Sequence, residues 1–355
     1  MKKYLAISLI ATLSCLGLAS DDHKDFKITG WFDVYYQYDF NRSPFGVNLT
    51  GRGYDTRAGS FELANAQLNI KYGKKDSPFS LTADLALGRN AQINSALDAA
   101  NGNSNQAIQQ LFVTFTQKDG STFDIGKFNT WIGYESPYTI DNANYSVSTL
   151  FNFGQPVWHV GLRYSKPLSD TATASLFAVN GWNETQDTNS SKTFGFSYAK
   201  TLSKKLSATL GYIGGKEGPN GIGLPNSGLS DVHMLDLVAT YAASDKQAFV
   251  FNGDYASSAG ANSGHWTGWS IFSNTKLSDK NDFSLRFSTL QDGNNLRGVG
   301  GSIGSLTGTF NIKTSDVSTL RLEARSDMAN TSFFQSGSGS SKSRTTLTIA
   351  HQVRF

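Results

Sequence analysis

Residues 25–40 alternate for longer than the strands of soluble sheets usually run. Phe26, Ile28, Gly30, Phe32, Val34, Tyr36, Tyr38 and Phe40 fill one set of positions, and Lys27, Thr29, Trp31, Asp33, Tyr35, Gln37 and Asp39 fill the other. A helix would scatter both sets around its circumference, whereas an extended chain puts neighbours on opposite faces. Soluble strands usually have about 3–10 residues, and a strand of this length reaches across a bilayer at a tilt. The chain ends in the same manner. Leu347, Ile349, Val353 and Phe355 share a face, with Thr346, Thr348, Gln352 and Arg354 on the other. An aromatic residue in final position, on an alternating strand, suits a closing strand with lipid on one side and water on the other.

The pattern recurs in pairs, as in Ala64, Ala66, Leu68, Ile70 and Tyr72 before one turn and Phe79, Leu81, Ala83, Leu85 and Leu87 after it, between two kinds of connection. Short polar turns occur at Lys74–Ser77, Lys118–Gly120, Pro167–Asp170, Leu202–Lys205, Ser244–Lys246, Leu277–Lys280 and Thr314–Val317. Longer segments rich in Gly, Asn and Ser lie at about 41–57, 90–106, 132–154, 183–191, 217–230, 257–265, 292–304 and 330–342. Strict alternation of short and long connections is the habit of an outer-membrane barrel, with turns on the periplasmic rim and loops outside. Seven turns and eight loops join 16 strands, with 14 or 18 as neighbouring solutions. The expected fold class is therefore all-β, a transmembrane antiparallel barrel with both termini periplasmic. A spanning sheet must close, since unpaired backbone groups are intolerable in hydrocarbon. At this strand number the interior is expected to hold water rather than a packed core. Tyr72, Phe79, Phe115, Phe123, Tyr241, Phe249, Phe272 and Phe283 cluster beside the turns and read as an interfacial aromatic girdle.

Composition supports many strands joined by flexible loops, with 24 Phe, 14 Tyr and 35 Gly against 7 Pro. Lys2 and Lys3, an apolar core from Tyr4 to Leu18, and small residues at Gly17 and Ala19 form a secretory leader, so residues 1–19 are expected to be removed and 20–355 to form one barrel domain. Cys15 raises a lipoprotein alternative, but Thr12 stands where such a signal usually has Leu. Losing Lys2 and Lys3 takes the formal charge from +3 to +1, and nothing suggests a nucleic-acid partner.

Catalytic and metal-binding constellations are weak. His23, His159, His233, His265 and His351 lack metal-ligand spacing. His233, near Ser230 and Asp231, is the one catalytic candidate, and a polar rim residue explains it better. No catalytic residue, metal or cofactor is expected. The segment from Trp131 to Val157 carries Trp131, Tyr134, Tyr138, Tyr145, Phe151 and Phe153 with Glu135 and Asp141. A solvated loop seldom holds so many aromatics, so it either folds into the lumen or forms an aromatic external lid. Folded inward, it would bring Glu135 and Asp141 near Arg163. Strand parity puts Asp33, Asp84, Asp124, Asp236, Asp254, Glu323, Lys71, Arg163, Arg286, Arg321 and Arg325 on the water side. Glu135, Asp141, Arg163, Arg286, Arg321, Glu323 and Arg325 are the candidate pore-lining or constriction residues, where a transverse field would filter solutes. The bland reading is a solvated wall of weak ion pairs.

Asp124-Ile-Gly-Lys-Phe128, then Ser136-Pro-Tyr138, Asn144-Tyr-Ser146 and Leu150-Phe-Asn-Phe153, then Gln155-Pro-Val-Trp-His-Val-Gly161, resemble the OmpL-like beta-barrel porin-2 family. The resemblance implies a bacterial outer-membrane barrel that passes small hydrophilic solutes by diffusion. It brings no catalytic residue. The Pro-Glu-Phe-Gly-Gly constriction motif of classical trimeric porins is missing. The alternative function is a non-conducting surface barrel whose loops adhere to partners. Expected partners are outer-membrane lipid, the barrel-assembly machinery through Phe355, and small hydrophilic solutes, with a homo-oligomer open.

Overall fold

The computed structural model describes residues 25–98, 106–218, 222–226, 228–337 and 339–355, so the leader expected at 1–19 lies outside the described residues. Strands β1 (Phe26–Asp39), β2 (Phe61–Gly73), β3 (Phe79–Leu87), β4 (Ile108–Thr116), β5 (Thr122–Asn129) and β6 (Trp158–Ser169) are followed by β7 (Ala172–Val179), β8 (Thr193–Thr201) and β9 (Leu206–Glu217). Next come β10 (Ser230–Ser244), β11 (Gln247–Gly260), β12 (Gly264–Lys276), β13 (Asn281–Asp292), β14 (Gly301–Lys313) and β15 (Ser318–Ala329). A small hairpin, β16 (Phe334–Ser336) and β17 (Gly339–Ser341), precedes the last strand, β18 (Ser343–Arg354). Every strand except β16 and β17 belongs to one closed barrel in which sequence neighbours pair and β1 meets β18. That is the expected 16-stranded antiparallel barrel. All seven short connections fall at the predicted turns.

The two faces follow sequence parity. Phe32, Tyr38, Leu237, Ile271, Leu322 and Ile349 point outward and are exposed, while Asp33, Gln37, Asp236, Ser270, Glu323 and Thr348 between them are buried inside. Charge on the lipid side of a barrel is costly, so the apolar face must go out. Near the turns, Phe79 packs on Phe115 at 5.1 Å and Phe123 on Tyr164 at 4.6 Å, as a girdle requires. The chain ends lock together: Gly30 N–H donates to Phe355 O at 2.8 Å and Phe355 N–H to Gly30 O at 3.0 Å. Gly30 leaves room for the terminal ring, since a Cβ there would lie 2.4 Å from it.

Three expectations are corrected. Phe272 lies on the lumen side of β12 against Tyr134, at 4.8 Å, because its parity matches Ser270 rather than Ile271. Asp33 pairs with Asn65 but Val34 with Leu63, so Ala64 is the extra residue of a bulge and turns inward instead of sharing the outward face of β2. The sixth loop shrinks from nine residues to 261–263, because β11 and β12 keep pairing through Ser258 and Gly264.

The interior also departs from a simple water-filled tube. The long connections, named L1 to L8 in chain order, fold back over the outer mouth. Ile132 and Leu150 of L3, Trp182 of L4, Ile222 and Leu224 of L5, Leu296 and Val299 of L7 and Phe334 of L8 form one apolar cluster with Met234, Trp266 and Ile303 of the wall. Burying this surface stabilises the mouth by the usual ~25 cal/mol per Å² of apolar area. Sixteen strands leave space; these loops fill its outer part.

Candidate functional site: the inward-folded third loop

L3 (130–157) crosses the lumen and contacts most of the wall. Its entry is shaped by glycines opposite: the Trp131 ring stacks on Phe177 at 3.7 Å and donates through Nε1 to Tyr212 O at 3.1 Å. A Cβ on Gly195 would lie 2.0 Å from that ring, so the bare β8 backbone is what admits it. Asn142 then ties the loop to itself, accepting from Ser136 N–H at 2.8 Å and donating to Ser136 O at 2.8 Å. Beyond this turn Tyr138 donates to Asp84 at 2.7 Å and Thr139 to Asp33 at 2.9 Å, which fixes the tip against β3 and β1. Tyr138 and Tyr145 are both buried. The inward arrangement, not the external lid, is observed.

On the opposite wall an arginine–carboxylate cluster grips the loop. Arg286 donates to Glu135 at 2.7 Å and to Thr307 Oγ1 at 3.1 Å, and it also reaches Ser146 O. Glu323 accepts from Tyr145 N–H at 2.7 Å, from Ser146 N–H at 3.1 Å and from Thr309 at 2.6 Å. Arg325 bridges Asp327 at 2.8 Å and Val147 O at 2.6 Å, and Arg321 donates to Asn142 O at 2.7 Å. Three arginines face Glu135, Glu323 and Asp327, so charge balances locally. All six are buried. Removing one partner of such a pair leaves an uncompensated charge, which is costly.

Five of the seven predicted residues thus meet at one place: Glu135, Arg286, Arg321, Glu323 and Arg325. The other two do not join them. Asp141 pairs with Arg354 at 2.5 Å on the periplasmic side, and Arg163 pairs with Asp124 at 2.6 Å. The expected approach of Glu135 and Asp141 to Arg163 is therefore wrong. Arg163 sits directly across the β5–β6 register from Asp124 and is satisfied there, while L3 turns its acids toward β13–β15 and β18. Sequence reasoning missed the part played by L1, where Arg52 joins Asp55 at 2.9 Å and Asp327 at 3.0 Å. No alternating pattern marks a loop residue, so nothing in the sequence pointed to it. His233 is not part of a catalytic set: it faces outward and bonds Tyr212 at 2.8 Å, while Ser230 points inward and accepts from Asn262.

L3 separates two cavities. Tyr134, Asp141, Asn142 and Ala143 line one of about 440 Å³ at the periplasmic mouth, with Lys246, Lys276 and Lys313 around it. Phe151, Asn152, Gln155 and Val157 line another of about 240 Å³ beneath the outer loops. The loop is the septum between them.

A closed, lipid-facing barrel with a polar lumen narrowed by its third loop defines an outer-membrane porin. The chain belongs to the family described as "Putative beta-barrel porin-2, OmpL-like", whose model matches residues 25–355. No curated protein matches it in sequence. Among solved structures it is similar to an anion-selective porin from Comamonas acidovorans, with TM-score 0.62 and 11% identity over 93% of this chain and 99% of that one. It is also similar to the outer membrane channel DcaP of Acinetobacter baumannii, with TM-score 0.62 and 10% identity over 95% and 99% of the two chains. Salmonella typhi OmpF, in complex with daunomycin, follows at TM-score 0.61 and 11% identity over 95% and 99%. At such identities these likenesses speak for the fold.

Proposed function

We propose that L3 is the rate-limiting partition of this outer-membrane porin, and that the seven charged residues act in two groups. Glu135, Arg286, Arg321, Glu323 and Arg325 hold the loop across the lumen. Asp141 and Arg163, each partly exposed and facing water, meet the passing solute. The observation that carries this reading is the placement of L3 between the two cavities, with residues of the loop lining both. Pore diameter and lining charge set flux. The reading assigns no catalytic step and no cofactor, and it treats the homo-oligomer and the handling of Phe355 by the assembly machinery as part of the same proposal.

Planar-bilayer conductance tests it. Deleting 136–150 removes the septum and is expected to raise single-channel conductance several-fold. Asp141→Asn leaves Arg354 without its partner and is expected to shift selectivity toward anions. A folded wild-type barrel that carries no current would favour the adhesion reading. A deletion with unchanged conductance would mean that solutes bypass L3.

A further inference from the structure

The outer cavity combines features that a mere packing defect would lack. Its floor and sides are apolar where Tyr54, Ile93 and Leu97 meet Phe151, the rings of Tyr54 and Phe151 lying 6.3 Å apart. Arg297 of L7 projects into its wall. The backbone carrying this arginine is fixed by Asp292, whose carboxylate accepts from the N–H groups of Leu296 at 2.7 Å, Arg297 at 2.9 Å and Val299 at 3.1 Å. The guanidinium lies over the rings of Trp266, at 5.4 Å, and Trp182, at 5.9 Å. Among the described residues it donates to the main-chain carbonyls of Phe153 and Ile222.

Among the described residues no carboxylate lies within ion-pair distance of Arg297. Asp98, next to the cavity, accepts from Thr185 N–H at 3.3 Å. Burial draws the guanidinium down to about 10, so it stays a cation at neutral pH. The nearby structural arginines behave differently, since Arg286 and Arg325 each have a carboxylate partner. The one carboxylate acting on Arg297 is that of Asp292, which lies beyond ion-pair distance and is taken up by backbone N–H groups, so a half-buried cation is left facing the cavity with hydrogen-bonding capacity for an anion.

Volume and lining narrow the anion further. An apolar cavity of about 150 Å³ holds one benzene ring. The 240 Å³ here leaves room for a ring with a carboxylate and one further polar group. The side-chain amide of Asn152, which lines the same cavity, suits a ring hydroxyl. We propose that this cavity is a recognition site for small aromatic carboxylates entering the pore, with Arg297 taking the carboxylate and the ring lying against Tyr54 and Phe151. The inference rests on the porin reading and deepens it by naming a solute class.

The test uses the folded full-length mature barrel with 4-hydroxybenzoate and phenol as probes, read by tryptophan fluorescence in detergent and by current block in bilayers. Saturable 4-hydroxybenzoate binding is expected, about tenfold or more tighter than phenol, since a hydrogen-bonded charge adds roughly that factor. Arg297→Gln should bring the two affinities together, and Ile93→Trp, which fills the cavity and keeps the charge, should weaken both. Equal affinities in the wild type overturn the proposal, as does an undiminished preference in a folded Arg297→Gln barrel. If Arg297→Gln does not fold, the wild-type comparison and Ile93→Trp decide. Binding without any current would overturn the porin reading alone; current without saturable binding would overturn only the site.

Discussion

Arg286→Met tests the grip on L3 most directly. The change removes a buried guanidinium that holds Glu135 at 2.7 Å and reaches the backbone at Ser146, and it leaves the β12–β13–β14 ladder intact. Glu135 keeps its bonds from Ser148 N–H, at 3.0 and 3.1 Å, but loses its counter-ion. Breaking a buried pair from one side costs about 3–5 kcal/mol. Lumen water can reach a released carboxylate, so the lower end applies. At ~1.4 kcal/mol per decade, the ratio of undocked to docked loop should rise about a hundredfold. Single-channel recording should then show brief high-conductance excursions absent from the wild type, with the heat-induced gel shift of the folded barrel preserved. Adding Glu135→Gln removes the stranded charge and should quiet these excursions, so that the double variant disturbs the loop less than the sum of the two singles. A folded Arg286→Met barrel with wild-type conductance and noise would refute the idea that this pair holds the loop.

Other consequences are open to measurement. Gly195→Leu should drive Trp131 off Phe177, given the 2.0 Å clearance at a Cβ, and give a red shift in tryptophan emission with raised conductance; unchanged emission would count against the fit. The Glu184 carboxyl in L4 is pushed up to about 7, mainly by burial, with Asp187 and Asp98 adding to the effect and Thr188 opposing it. The folded loop holds that proton more tightly than an unfolded chain, so its stabilisation is complete below about 4.5 and fades as pH rises through 7. Protease nicking of L4 should accordingly increase across that window and lose its pH dependence in Glu184→Gln. Phe355→Ala empties the slot over Gly30 and should lower the yield of heat-shiftable barrel in the outer membrane several-fold; wild-type yield would contradict a role for the terminal ring.

The barrel was legible because lipid imposes a period of two along each strand and turns impose a rhythm along the chain. Parity alone put Asp33, Glu323 and Arg325 inside. It failed where one extra residue resets the count, at Ala64, and where a single aromatic was grouped with its neighbours by proximity to a turn, at Phe272. The aromatic load of 131–157 signalled burial of L3, but not which wall would receive it. That choice depends on partners far apart in sequence: Asn144 and Thr309, or Ser146 and Arg325, meet only through the closed sheet. The role of Arg52 and the cavity around Arg297 arise from loop packing, which leaves no periodic trace.

The seam between the first and last strands has a consequence for how the molecule comes into being. Asp33 lies on β1 and Gln352 on β18, yet both bond Thr139, and the direct bond between them joins residues 319 positions apart. The cradle for the tip of L3 is therefore assembled from both ends of the chain. It does not exist in any shorter nascent chain, and bringing such distant segments together carries the entropy of a very long closure. Until β18 arrives, the loop has half a binding surface and the lumen stands open along one side. The docked loop is thus a product of completion: the same event that hides the last unpaired backbone edge from lipid also narrows the passage through the middle.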